Sequence, residues 1–253
     1  ELVTNGDFTA TGGELVSNPN FTDTGADLLT QPIDLTIDFD ANVGGVIVDA
    51  DTFTTAGGSL DGLLSKVSSW NLVSGKSYKL VIAGSTTSSG FTIGDGGGSG
   101  NEYGSDFGTH YFVSLGTRLW IRQQTVGTTD LTTFTIEELG ADWTLDAGWS
   151  IGEDKAIHST TTGGSARLQQ SGFTNTANYK VTITIANKGI NAYRFFDGGA
   201  SSVSLLEGTN TYYVTGLLVG ILIIEPQSSD GSDVEFSNIS VQELGEGWAV
   251  QTG

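Results

Sequence analysis

Residues 118–124 read Arg-Leu-Trp-Ile-Arg-Gln-Gln. In an extended strand, side chains alternate between faces. Leu119 and Ile121 then point one way, and Arg118, Trp120, Arg122 and Gln124 the other. An aromatic plane flanked by planar donors suits a pyranose, whose ring face is apolar and whose rim carries hydroxyls. The same spacing has a second reading, in which Trp120 packs under a loop or at a domain interface and the Arg stems cover it.

A second set is Asp38, Asp40 and Asn42, with Asp49 at the twelfth position of the stretch. Calcium loops place oxygen ligands at such intervals, but they need Gly at position six and Glu at position twelve, where this chain has Val43 and Asp49. The stretch reads first as a hairpin turn. GDGGGSG at 94–100 has no following Lys-Ser/Thr, so it reads as a hairpin tip and not a phosphate loop. His110 and His158 are the only imidazoles, and neither has a nucleophile-elbow Ser nearby. Carboxylates are plentiful, yet no acid pair stands out within either half, so a glycoside hydrolase is the third reading of the chain.

The chain of 253 residues carries 29 acidic and 10 basic side chains, a formal charge of −19. That field repels nucleic-acid phosphate and anionic lipid, so neither partner is expected. With no Cys there are no disulfides, thiolate metal sites or thiol nucleophiles. The longest apolar run, Leu217–Ile224, is far too short to span a bilayer, so membrane insertion is not expected. There is no Met and the chain opens on Glu1, which reads as a processed product or a segment of a longer protein.

Internal repeats organise these residues. TTAGGS at 54–59 matches TTTGGS at 160–165, and Tyr78-Lys79 matches Tyr179-Lys180. GDGG at 94–97 matches FDGG at 196–199, YFV at 111–113 matches YYV at 212–214, and LTTFTIEELG at 131–140 matches FSNISVQELG at 236–245. A third unit opens after the second tail, since GEGW at 245–248 echoes GADW at 140–143. At the front, ELVTNGDFTATG at 1–12 recurs as ELVSNPNFTDTG at 14–25. This reads either as two lead strands, one pairing outside its own domain, or as a duplication in a loop.

Within each unit the period is two. Ile33, Leu35, Ile37 and Phe39 predict a strand, with a hairpin partner at Val46–Val48. Tyr78, Leu80 and Ile82 alternate, as do Tyr179, Val181, Ile183 and Ile185. One helical turn is expected near Leu60–Lys66. Gly-rich turns between short strands predict an all-β chain of two tandem β-sandwich domains. In the second, LLVGILIIEP at 217–226 puts Leu222 and Ile224 where Trp120 and Arg122 sit, so that sheet is expected to be covered.

The opening LVTNGDF, Gly148-Trp149-Ser150, the YKVTITI strand and the closing NISVQEL together resemble carbohydrate-binding modules of the family 4/9 type, which are galactose-binding-like jelly rolls. The tandem tail running into the next Trp is similar to repeats of bacteriophage virion proteins. The resemblance implies jelly-roll units at 1–139 and 140–246, with 247–253 opening another. It implies a non-enzymatic structural component of a virion surface, such as a capsid decoration, head fibre or tail fibre. Its partners would be further virion or fibre subunits, including copies of itself, and a surface glycan. The alternative it implies is a secreted carbohydrate-binding module of a larger enzyme or adhesin. It also implies a structural calcium near Asp7, although Thr133 and Asn238 stand where the last strand often has Asp. No other cofactor is expected.

Overall fold

The computed structural model describes residues 11–56, 62–96, 101–159, 166–174, 177–197, 202–215 and 220–245. Along the chain run β1 (Thr11–Glu14), β2 (Thr24–Asp27), a helical turn α1 (Leu35–Asp38), β3 (Phe39–Asn42), β4 (Gly45–Ile47), β5 (Thr52–Thr55) and β6 (Gly62–Ser65). Next come β7 (Ser77–Thr86), β8 (Phe91–Asp95), β9 (Glu102–Ser105), β10 (Gly108–Val113), β11 (Leu119–Gln123) and β12 (Gly127–Leu139). The second half holds β13 (Thr144–Leu145), β14 (Trp149–Gly152), β15 (Lys155–His158), β16 (Leu168–Ser171) and β17 (Asn178–Ala186). It ends with β18 (Ala192–Phe196), β19 (Ser202–Ser204), β20 (Gly208–Thr215), β21 (Ile221–Ser228) and β22 (Val234–Leu244). The chain is all-β, two antiparallel jelly-roll sandwiches.

Both sandwiches follow one topology. One sheet orders β10-β7-β12-β5-β4 with β2 beside β12, and its counterpart orders β20-β17-β22-β15-β14 with β1 beside β22. The facing sheets order β3-β6-β11-β8-β9 and β13-β16-β21-β18-β19. The two central strands, β7 and β17, therefore hold the same place. Each last strand also skips one residue at the same repeat position, between Leu131 and Thr133 and between Phe236 and Asn238. One sequence match shifts: Tyr111 faces Lys79 whereas Tyr213, not Tyr212, faces Lys180.

The expected boundary is corrected. The compact units are Thr24–Leu139, here the central unit, and a split unit that joins the chain up to Asp23 to the chain from Gly140. The 13-residue duplication is the cause, because the tail of each copy, Thr11-Gly12 and Thr24-Gly25, opens a lead strand on a different unit. Thr11 pairs with Leu244 and Glu14 with Gln242, while Thr24 pairs with Leu139 and Asp27 with Glu137. The Glu14 carboxylate accepts from the Val241 amide (2.8 Å) and the Asp27 carboxylate from the Ile136 amide (3.0 Å), at equivalent positions. The central unit is thus inserted in the split unit. Residues 1–10 and the expected further unit at 247–253 lie outside the described residues.

Three local expectations fail for physical reasons. Leu35–Asp38 is helical because the Asp34 carboxylate caps the Thr36 amide (2.9 Å) while the Asp38 carboxylate accepts from the Asp34 amide (3.1 Å). Leu35 and Phe39 are four apart, which either period satisfies. Ile37 decides between them, and it is 59% exposed. Second, β3 and β4 form no hairpin, since β3 pairs with β6 and β4 with β5, so the turn at Val43-Gly44 crosses between sheets. Third, the helical turn expected near Leu60–Lys66 is strand β6, held on both sides by β3 and β11.

The sheets of the central unit close over Leu63, Leu80, Ile93, Ile121, Phe134 and Ile136, all fully buried. Tyr78 and Tyr179 anchor the loops before their strands. The Tyr78 hydroxyl accepts from the Val73 amide (2.9 Å), and the Tyr179 hydroxyl accepts from the Thr174 amide (2.9 Å) and donates to its carbonyl (2.6 Å). This shared anchor explains why the Tyr recurs. We expect Tyr78→Phe and Tyr179→Phe each to cost about 1 kcal/mol of stability, read from denaturant midpoints at unchanged m-value.

Candidate functional site

Strand β11 directs Leu119 and Ile121 into the core and Trp120 and Arg122 to the outer face, as the alternation predicted. Pairing sets two rows across that face: Asp40, Leu64, Trp120 and Gly94, then Asn42, Gly62, Arg122, Thr92 and Ser105. The expected stacking platform is corrected. Trp120 is 1% exposed, and its Nε1 donates to the Asp95 carbonyl (3.1 Å). The indole lies across Gly94, where a Cβ would sit 2.3 Å from the ring, and the Arg122 guanidinium stacks 3.9 Å above the ring centroid. No sugar can reach that plane. The packed-indole reading holds instead, with an Arg as its cover.

Arg118 is likewise committed. Its Nε donates to the Ser65 carbonyl (2.6 Å) and its Nη2 pairs with Asp40 (2.7 Å). Gln124 lies just past the strand end, exposed. Arg122 differs from these two. Among the described residues it has no ion-pair partner, and its buried Nε has no hydrogen-bond partner. Burial pushes its guanidinium pKa down, with the charge of Glu102 opposing.

The calcium candidates are not brought together. Asp38 is buried and accepts from the Asp34 amide and the Ser69 hydroxyl, Asp40 pairs with Arg118 and Lys66, and exposed Asp49 caps the Thr52 amide (3.0 Å). Each carboxylate closes its own local structure. Asp7 lies outside the described residues. No group of three His, Asp or Glu side chains that could hold a metal occurs among the described residues.

Two charged clusters escaped sequence reasoning. Asp95 is fully buried and accepts from the Tyr103 and Ser114 hydroxyls (both 2.6 Å) and the Leu115 and Gly116 amides (both 2.7 Å). Burial alone would raise its pKa. The Ser114 and Tyr103 hydroxyls and the two amides outweigh burial and hold the carboxyl below the usual range. In the split unit, Glu225 is 1% exposed and takes Arg194 on Oε1 (Nε at 2.8 Å, Nη2 at 2.5 Å) and Arg167 on Oε2 (3.1 Å). Arg194 also stacks 4.4 Å over Phe196.

By strand register, Glu225 stands where Arg122 does, and Ile223 where Trp120 does. The expected placement of Leu222 and Ile224 on this outer face was therefore one residue out. Both point into the core, with Ile224 paired to Phe195. Outer-facing Ile223 is 3% exposed and Ile221 38%. Each outer face thus carries an Arg stacked on an aromatic, but the aromatic sits on β11 in one unit and β18 in the other.

His158 takes the register position of Phe53, and each is fully buried. Its Nδ1 meets the Tyr193 hydroxyl (2.8 Å), and burial lowers its pKa. The unfolded chain then binds the proton first, so stability should fall as pH drops from about 6.5 toward the lowered value. We expect His158→Phe to abolish this slope in the split unit, as measured by urea titration between pH 7 and pH 5.

No protein-family model matches the sequence, and no curated protein does. Among solved structures, the N-terminal CBM22-1-CBM22-2 tandem domain of Paenibacillus barcinonensis Xyn10C is similar. It is 10% identical, with 93% of this chain and 99% of that chain covered, at a TM-score of 0.30. A likeness at that score carries no argument about this chain's ligand.

Proposed function

We propose that the chain is a non-enzymatic structural component of a bacteriophage virion surface, a capsid decoration, head fibre or tail fibre, that binds glycan weakly. The observation that carries this reading is the nesting of two sandwiches of one topology, with equivalent lead strands in equivalent registers. Such units suit a repeating surface assembly. The interlocked connection also places the central unit in the chain between two parts of its neighbour. Buried Asp38, Asp95 and Glu225 support a non-catalytic role, since each is bound within its own unit by structural hydrogen bonds.

The glycan contact falls to Arg122 and not to Trp120. Its guanidinium, with Thr92 and Ser105 in the same row, offers donors to sugar hydroxyls. Each such bond contributes about 1 kcal/mol, so single-site affinity is weak and copies of the chain in an assembly would supply avidity. The same face favours the second reading, a secreted carbohydrate-binding module of a larger enzyme or adhesin.

Two measurements test the proposal. On a glycan array, the multivalently displayed chain should bind and Arg122→Ala should not. Equal binding by both, or none by the wild type, removes the glycan contact. Mass spectrometry of purified particles should find the chain in stoichiometric amounts. Finding it only in secreted material, joined to a catalytic domain, would favour the second reading.

A further inference from the structure

Residues 14–21 show how a lead segment seats on the split unit. Glu14 clamps the Val241 amide, and the Leu15 amide donates to the Val241 carbonyl (2.9 Å). Ser17 and Gln170 exchange two bonds, the Ser17 amide to Gln170 Oε1 and Gln170 Nε2 to the Ser17 carbonyl (both 2.9 Å). The Asn18 carbonyl accepts from Trp143 Nε1 (3.3 Å), and the Pro19 carbonyl accepts from the Ile239 amide (2.9 Å). Phe21 is 1% exposed and packs on Trp143 with ring centroids 5.3 Å apart. Most of these bonds are to backbone, so the seat demands few side chains.

The sequence holds those side chains twice. Glu1, Leu2, Val3, Asn5 and Phe8 repeat Glu14, Leu15, Val16, Asn18 and Phe21, with Thr4 for Ser17. The seat in this chain is filled by the second copy, which is joined to it at high effective concentration. The first copy therefore has a complete set of docking residues and no vacant seat in its own split unit.

We propose that residues 1–8 are a second docking segment for this seat, and that their partner is the equivalent seat on a second copy of this chain. Docking is β-augmentation along the Val241 edge, with the Phe8 ring on Trp143. Copies joined in this way link head to tail, and a seat opens to an incoming segment when its own residues 14–21 release. This inference rests on neither the virion nor the glycan reading.

The test uses chains of residues 1–253 by analytical ultracentrifugation. Phe21→Ala weakens the resident segment and leaves residues 1–8 intact, so this chain should self-associate at least tenfold more tightly than the wild type. Adding Val3→Asp and Phe8→Ala, the counterparts of buried Val16 and Phe21, should return it to monomer. Glu14→Ala, which removes only the clamp, should shift association the same way by less. A peptide of residues 1–8 should bind Phe21→Ala at least tenfold more tightly than wild type and should compete with its self-association. Monomeric Phe21→Ala and Glu14→Ala chains that also fail to bind the peptide would overturn the proposal. So would association that persists after the Val3→Asp and Phe8→Ala changes.

Discussion

Replacing Glu225 by Ala should destabilise the split unit by about 3 kcal/mol, because it leaves two guanidinium groups facing each other without their carboxylate. Removing one partner of a buried ion pair costs roughly 3–5 kcal/mol. The Arg194 and Arg167 side chains are 28% and 39% exposed and keep part of their hydration, which sets the expectation at the low end. Glu225→Gln keeps the shape and removes the charge, so it should recover only part of the loss. Thermal unfolding followed by calorimetry should show the split-unit transition moving down while that of the central unit stays in place. Unchanged melting in Glu225→Ala would mean that the triad contributes little.

The second large effect is expected at Asp95. Asp95→Ala strands two hydroxyls and two backbone amides in a buried site, a loss of about 3 kcal/mol from the central unit. Asp95→Asn should fare little better, since the new amide group places a donor against donors. The pH dependence follows from the lowered pKa of the folded state. The contribution is fully present above the unfolded value of about 3.9 and is lost as pH falls through the lower folded value. Wild-type and Asp95→Ala stabilities should therefore differ at pH 7 and converge well below pH 4. A constant difference across that range would show that the carboxylate's charge is not what the site binds.

Much of the fold was legible in the sequence because repetition is visible without coordinates. The Tyr78 and Tyr179 strands and the recurring tails follow from period-two patterns that each unit repeats, and β11 carries an alternation of its own that β21 lacks. The nesting was half legible. The duplication offered two lead strands with one pairing outside its own domain, which the pairing of β1 with β22 bears out. It offered a loop duplication as well, because a duplicated strand carries no mark of which edge it joins. Both edges have the same register, and only the three-dimensional path assigns β1 to β22. The α1 error has a similar origin, since Leu35 and Phe39 satisfy either period and the Asp34 cap decided the turn. At the site, alternation placed Trp120 on the outer face but could not say what lies above it. Arg122 occupies that space, because residues two apart on one strand face can stack on each other as readily as they can share a ligand. Glu225 and Asp95 were invisible as clusters, since their partners are strung over 58 and 21 positions of chain.

Cysteine pairing in this Cys-free chain tests the nested connection most directly. Thr11 and Leu244 are facing partners across an antiparallel pair, as are Thr24 and Leu139, and such positions bring Cα atoms within disulfide range. A chain carrying Thr11→Cys and Leu244→Cys should oxidise to an intramolecular disulfide at low concentration. A chain carrying Thr11→Cys and Leu139→Cys should stay reduced. Closure of the second pair and not the first would place the lead strand on the central unit and contradict the nesting.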